Sequence, residues 1–159
     1  MKLHAPARIA AVALVVVSLA GCSFAANITT SKQYSASDGV RVELEDVTGL
    51  NLLLVATAEG DPAALTGTFE NSGTEDVAIT LGLGATSDTV TVPAGGVVAL
   101  GLGDGETAVV GASPANPGMI GQITVETPRS GTESVDVPVL DGTLAEYADT
   151  LDKLQSYTG

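Results

Sequence analysis

A chain of 159 residues has room for one domain and an appendage. Its 19 Asp and Glu against 6 Lys and Arg leave a net charge of −13, and a surface so short of cations cannot displace the counterions of a phosphate backbone, which excludes nucleic-acid binding. Wholesale disorder is excluded as well, because 45% apolar residues can supply a core.

Lys2 and Arg8 precede an apolar run from Ile9 to Ala20 that is broken only by Ser18. As a helix at about 1.5 Å per residue this run covers about 18 Å, well short of a hydrocarbon core of about 30 Å. It reads as the h-region of an export signal and not as a spanning helix. The run closes on Leu19-Ala20-Gly21-Cys22, the pattern of a bacterial lipobox. Small residues there let the backbone enter a peptidase cleft, and the Cys thiolate takes a diacylglyceryl group as a stable thioether. The expectations are a signal peptide over residues 1–21, cleavage between Gly21 and Cys22, and a lipid anchor on Cys22 that holds the protein to the extracytoplasmic face of the plasma membrane.

Cleavage removes His4, the one histidine, and lipidation consumes the one thiol. The remaining chain keeps every acid but only Lys32, Arg41, Arg129 and Lys153 as cations. A Cys–His pair, a Ser-His-Asp triad and a Cys/His zinc site are all out of reach, so neither an enzyme nor a bound metal or cofactor is expected. Residues 22–37, small and polar apart from Phe24, Ile28 and Tyr34, show no period and read as a flexible tether, about 50 Å long when extended.

From 38 to 142 the period is two. Val40, Val42 and Leu44 alternate with Arg41, Glu43 and Glu45, and Leu65, Gly67 and Phe69 with Thr66, Thr68 and Glu70. The same alternation recurs around Val77-Ile79-Leu81, Val90-Val92, Ile123-Val125 and Val135-Val137-Val139. Turn residues separate these runs, at Asn71-Ser72-Gly73, Pro93–Gly96, Gly103-Asp104-Gly105, Pro114–Gly118, Ser130-Gly131 and Asp141-Gly142. Seven to nine short strands with one wet face each predict an all-β, immunoglobulin-like or cupredoxin-like antiparallel β-sandwich. Pro138 lacks a ladder donor and points to a sheet edge.

Leu52–Val55 and Val97–Leu100 are apolar on both faces and require a cover on their outer sides. One is available in residues 143–159, where Leu144, Tyr147, Leu151 and Leu154 follow at helical steps. Thr143 and Glu146 stand in capping-box spacing, and Asp149 and Lys153 can pair at i, i+4. This predicts a short C-terminal amphipathic helix ending near Gln155 that packs on its own domain.

Other patterns are weak. Gly103–Glu106 offers two carboxylates where calcium takes six to eight oxygens. Glu43 and Glu45 beside Arg41 look like ordinary strand exterior rather than a glycosidase pair. Gly82-Leu83-Gly84 and Gly101-Leu102-Gly103 complete no phosphate-binding fingerprint and read as strand-end turns.

The lipobox together with Tyr34–Val40, Asn51–Val55, Phe69-Glu70-Asn71-Ser72-Gly73, Val92–Gly96 and Val137–Leu140 resembles the LpqE-like envelope lipoproteins of actinobacteria. That resemblance implies a place, the cell envelope, and a sandwich fold, without a reaction. A more distant likeness is to periplasmic copper chaperones with a cupredoxin-like sandwich, which hold Cu(I) through Met and His. Soft copper takes thioether, thiolate or imidazole donors, and here Met119 is the one such donor left after signal removal and lipidation. The expected role is a non-catalytic, lipid-anchored envelope protein that binds or scaffolds envelope partners. The alternative is an extracytoplasmic carrier of a metal or small ligand.

Overall fold

The computed structural model describes residues 37–158. The expected signal peptide, Cys22 and the tether up to residue 36 lie outside them. Nine strands follow in chain order: β1 Val40–Leu44, β2 Val47–Ala56, β3 Pro62–Asn71, β4 Val77–Leu83, β5 Thr86–Val92, β6 Val97–Leu100, β7 Val110–Ala112, β8 Ile120–Thr127 and β9 Gly131–Leu140, before helix α1 Ala145–Thr158. They form one path, β5-β4-β8-β9-β2-β3-β6, with β1 added to β2 and β7 to β3. The path folds over into a nearly closed sandwich, since β5 at one end comes into contact with β6 and β7 at the other.

β9 joins the two halves. It pairs antiparallel with β8 from Gly131 to Pro138, and at its last two residues it pairs parallel with β2, Leu54 against Val139 and Val55 against Leu140. Val139 donates its N–H to the Met119 carbonyl, so the nitrogen of Pro138 faces the other way, toward an edge that β2 occupies only from Val139 onward. The edge expected at Pro138 is thus local, inside a strand that is central in the sheet order.

β2 changes face midway. Val47 and Gly49 point inward in its first half, and Leu52, Leu54 and Ala56 in its second. The switch is a bulge at Asn51, whose φ of 53 is left-handed and across which the register with both β1 and β3 slips. Asparagine tolerates that conformation better than most residues, and its Oδ1 also accepts the Gly39 N–H at 2.8 Å.

Leu52, Leu54, Ala63, Leu65, Phe69, Ile79, Leu81, Val125 and Val137 fill the space between the halves. Leu53, Val55 and Ala64 are just as fully buried, but alternation turns them to the opposite side of β2 and β3. Helix α1 lies against that side, in contact with both strands, and buries Leu154 there to 3% exposure. The helix is the cover that the doubly apolar run requires. The other such run differs: Leu100 is buried, whereas Val97 stays exposed on β6, which is an edge strand.

The start of the helix departs from the capping box. Leu144 supplies the carbonyl that accepts the N–H groups of Tyr147 and Ala148, and among the described residues no hydrogen bond joins Thr143 to Glu146. Instead Thr143 turns back to Asp141, whose carboxylate its hydroxyl and then its N–H hold below the usual range. The helix runs to Thr158, past the expected end near Gln155, and no ion pair joins Asp149 and Lys153 among the described residues. Tyr147 donates its hydroxyl to the Asp38 carboxylate at 2.8 Å, tying the helix to the start of the domain. Desolvation first, then that bond and the negative charge of Asp38, push the phenol up to about 12.

Candidate functional site

One end of the sandwich gathers four turns. Glu45 and Asp46 link β1 to β2, with Leu44 and Val47 paired behind them. A two-residue hairpin loop calls for positive φ, and Glu45 adopts φ 50 although it is neither Gly nor Asn. The β3–β4 loop is organised by Asn71, which is 1% exposed. Its amide nitrogen donates to the carbonyls of Glu75 at 2.8 Å and Val92 at 3.1 Å, and its oxygen accepts the Gly73 N–H at 2.9 Å. A buried amide with these contacts fixes the loop, because losing any of them strands a buried polar group.

The other turns are stitched to these two. Ser72 donates both its N–H and its hydroxyl to the Asp46 carbonyl, at 2.8 and 3.0 Å. Ala94, in the β5–β6 turn, donates its N–H to Asp76 Oδ1 at 2.9 Å. In the β8–β9 turn Ser130 donates to Thr127 Oγ1 at 3.0 Å. Arg129 reaches across from that turn, with Nε 2.9 Å from Glu45 Oε2 and Nη1 2.6 Å from Asp46 Oδ2. The side chain is 68% exposed, so each pair is worth no more than about 1 kcal/mol.

Between these turns lies a cleft of about 220 Å³. Leu44, Val47 and Val77 make its floor with Thr127 and Pro128, and Thr74, Glu75, Asp76, Glu45, Asp46 and Arg129 form its rim. Hence an apolar floor continuous with the core opens through a rim of four carboxylates and one guanidinium. Such a place can take a short apolar group whose polar end stays at the mouth.

The residues singled out in the sequence lie elsewhere or act differently. Cys22 falls outside the described residues. Glu43 pairs with Arg41 on the strand exterior, at 2.9 Å, while Glu45 sits in the turn and belongs to the cleft, correcting the expectation that both share a strand face. In the Gly103–Glu106 loop, Glu106 Oε2 accepts the Gly103 N–H at 2.6 Å and so closes its own loop. Among the described residues no cluster of three His, Cys, Asp or Glu is placed to hold a metal. Met119 immediately precedes β8, next to Ile120, and each is about 60% exposed. The cleft residues gave no motif, although two acids filling a two-residue turn at Glu45-Asp46 is a detectable oddity.

No family model matches the chain, and no curated protein does. Among solved structures it is similar to a copper-bound PCuAC domain from PmoF2, with a TM-score of 0.51 and 19% identity over 64% of this chain and 98% of that one. It is similar also to the apo PmoF2 PCuAC domain, with a TM-score of 0.51 and 16% identity over 66% and 98%. An apo PCuAC domain from PmoF1 aligns with a TM-score of 0.48 and 17% identity. The class is therefore defined at the level of fold: an all-β sandwich of the PCuAC kind, with a C-terminal helix laid on one face.

The PmoF2 domain is copper-bound, and the described residues of this chain do not fit that ion. Among the described residues Met119 is the one soft donor, and a single exposed thioether beside an isoleucine provides no second ligand.

Proposed function

We propose that this is a non-catalytic, lipid-anchored protein of the LpqE-like kind, which presents a β-sandwich on the extracytoplasmic face of the plasma membrane and binds envelope partners at the turn-end cleft. The lipobox at Leu19–Cys22 supports the anchor. The observation that carries the binding role is the cleft itself, an apolar floor behind a charged rim that four separate turns are hydrogen-bonded to maintain. A carrier role is the second reading, favoured by the fold shared with the copper-bound PmoF2 domain and opposed by Met119 being the one soft donor among the described residues.

Site-specific photocrosslinking in intact cells tests the first reading. A probe at Thr74 on the exposed rim is expected to yield discrete protein adducts, while one at the exposed Asp88 of β5 yields none. No adducts from Thr74, or the same adducts from both positions, would overturn the binding role at this end. Metal analysis of protein purified without chelators tests the second, because a stoichiometric ion would restore the carrier.

A further inference from the structure

The cleft has a polarity that points to its occupant. Its floor of Leu44, Val47 and Val77 suits an aliphatic stem, while its rim sets four carboxylates against one cation. Arg129 shows what this rim attracts, since it reaches over from the β8–β9 turn and sits between Glu45 and Asp46. The other two acids, Glu75 and Asp76, have no ion pair among the described residues. An anionic guest is disfavoured, because the one guanidinium at the mouth is already engaged by two carboxylates.

We infer that the cleft receives a lysine-type side chain from a basic segment of a partner protein, with the stem on the apolar floor and the ammonium between Glu75 and Asp76. This rests on the binding role proposed above for the same cleft. Lysine combines an apolar stem with a compact charged head. Asp76 Oδ1 already accepts the Ala94 N–H, so Asp76 does not offer both oxygens free to a two-pronged donor. A point charge with three rotatable donors uses such a carboxylate better than the flat fork of an arginine.

The probe is Nα-acetyl-lysine N-methylamide, titrated into the purified isotope-labelled protein at low salt and followed by backbone amide shifts. Shifts are expected at Leu44, Val47, Val77 and Thr74. The norleucine analogue, which keeps the stem and lacks the ammonium, is expected to bind several-fold more weakly. Glu75→Gln with Asp76→Asn, which keeps an oxygen for Ala94, is expected to weaken lysine binding by roughly threefold or more. Arg129→Gln frees Glu45 and Asp46 and is expected to strengthen it, the opposite sign to that for an anionic guest. Asp149→Asn with Asp152→Asn on α1 removes the same charge elsewhere and is expected to change nothing.

Equal binding of both analogues, weakening by Arg129→Gln, or equal weakening by the α1 pair would overturn the inference, the last by showing only the diffuse field of an acidic protein. If Thr74 still crosslinks partners whose captured segments lack Lys, the binding role stands and the lysine assignment falls.

Discussion

Truncating Leu154 to alanine isolates the contribution of the helix that covers β2 and β3. The side chain is 3% exposed and faces a layer in which Leu53, Val55 and Ala64 are fully buried. Leu→Ala at buried sites costs about 2–5 kcal/mol, depending on how far the surroundings collapse into the gap. Here the gap lies under a single helix near solvent, which can settle onto the sheet, so the lower part of that range applies, about 2–3 kcal/mol. A domain of about 120 residues with an unfolding entropy of about 2.1 cal/mol/K per residue loses about 4 °C of Tm per kcal/mol. The expected fall is therefore about 8–12 °C in a far-UV circular dichroism melt, with the urea m-value unchanged. Leu144, half exposed before the helix, serves as the control, and its alanine variant is expected to shift Tm by less than about 2 °C. A shift that small for Leu154→Ala would refute the cover, and with it the explanation of why β2 is apolar on both faces.

Asn71→Ala strands the Val92 and Glu75 carbonyls and the Gly73 N–H, and is expected to cost about 2–4 kcal/mol by urea unfolding. Gly49→Ala places a Cβ 2.7 Å from Val42 Cγ1 and 2.9 Å from both Leu52 Cδ1 and Phe69 Cε1, an overpacking expected to cost about 1–3 kcal/mol on the same assay. For Tyr147 the folded protein holds the phenolic proton up to about pH 12 against an ordinary value of 10.0. Its contribution is accordingly constant below about pH 10 and lost as the pH rises toward 12. Alkaline difference spectra should show a late-titrating phenolate in the native protein that Tyr147→Phe removes, and a titration that the substitution leaves unaltered would break the assignment.

The strands legible in the sequence are those whose alternation is long and whose outward residues are polar, as in β8, where Ile123 and Val125 are buried between exposed Gln122, Thr124 and Glu126. β7 escaped because Val110–Ala112 is too short to show a period and exists through its pairing with Pro62–Ala64. The switch at Asn51 was hidden for a different reason: a run apolar in both parities looks the same whichever way it faces. At the helix start one local pattern displaced another, because Thr143 bonds back to Asp141 two residues earlier and not forward to Glu146. The cleft was the least legible feature. Arg129 and Asp46 are 83 residues apart, and nothing local to either turn announces that topology stacks them at one end of the sandwich. That Met119 is the one soft donor among residues 37–158 is, by contrast, plain from the sequence, since it concerns which residues exist rather than where they go.

The pairing of β9 between β8 and β2 has a consequence for the order in which the chain can become a domain. A polypeptide emerging from its N-terminus presents β1, β2, β3, β6 and β7 as one stack of strands and β4, β5 and β8 as another, with no ladder joining the two. Only when residues 131–140 arrive does one strand complete both. Contacts so distant in sequence make folding slow, and until then each stack carries an open edge that another chain can occupy. A chain stopped before Gly131 is on this account an aggregation hazard rather than a smaller domain, and the last fifth of the polypeptide determines whether the rest folds alone.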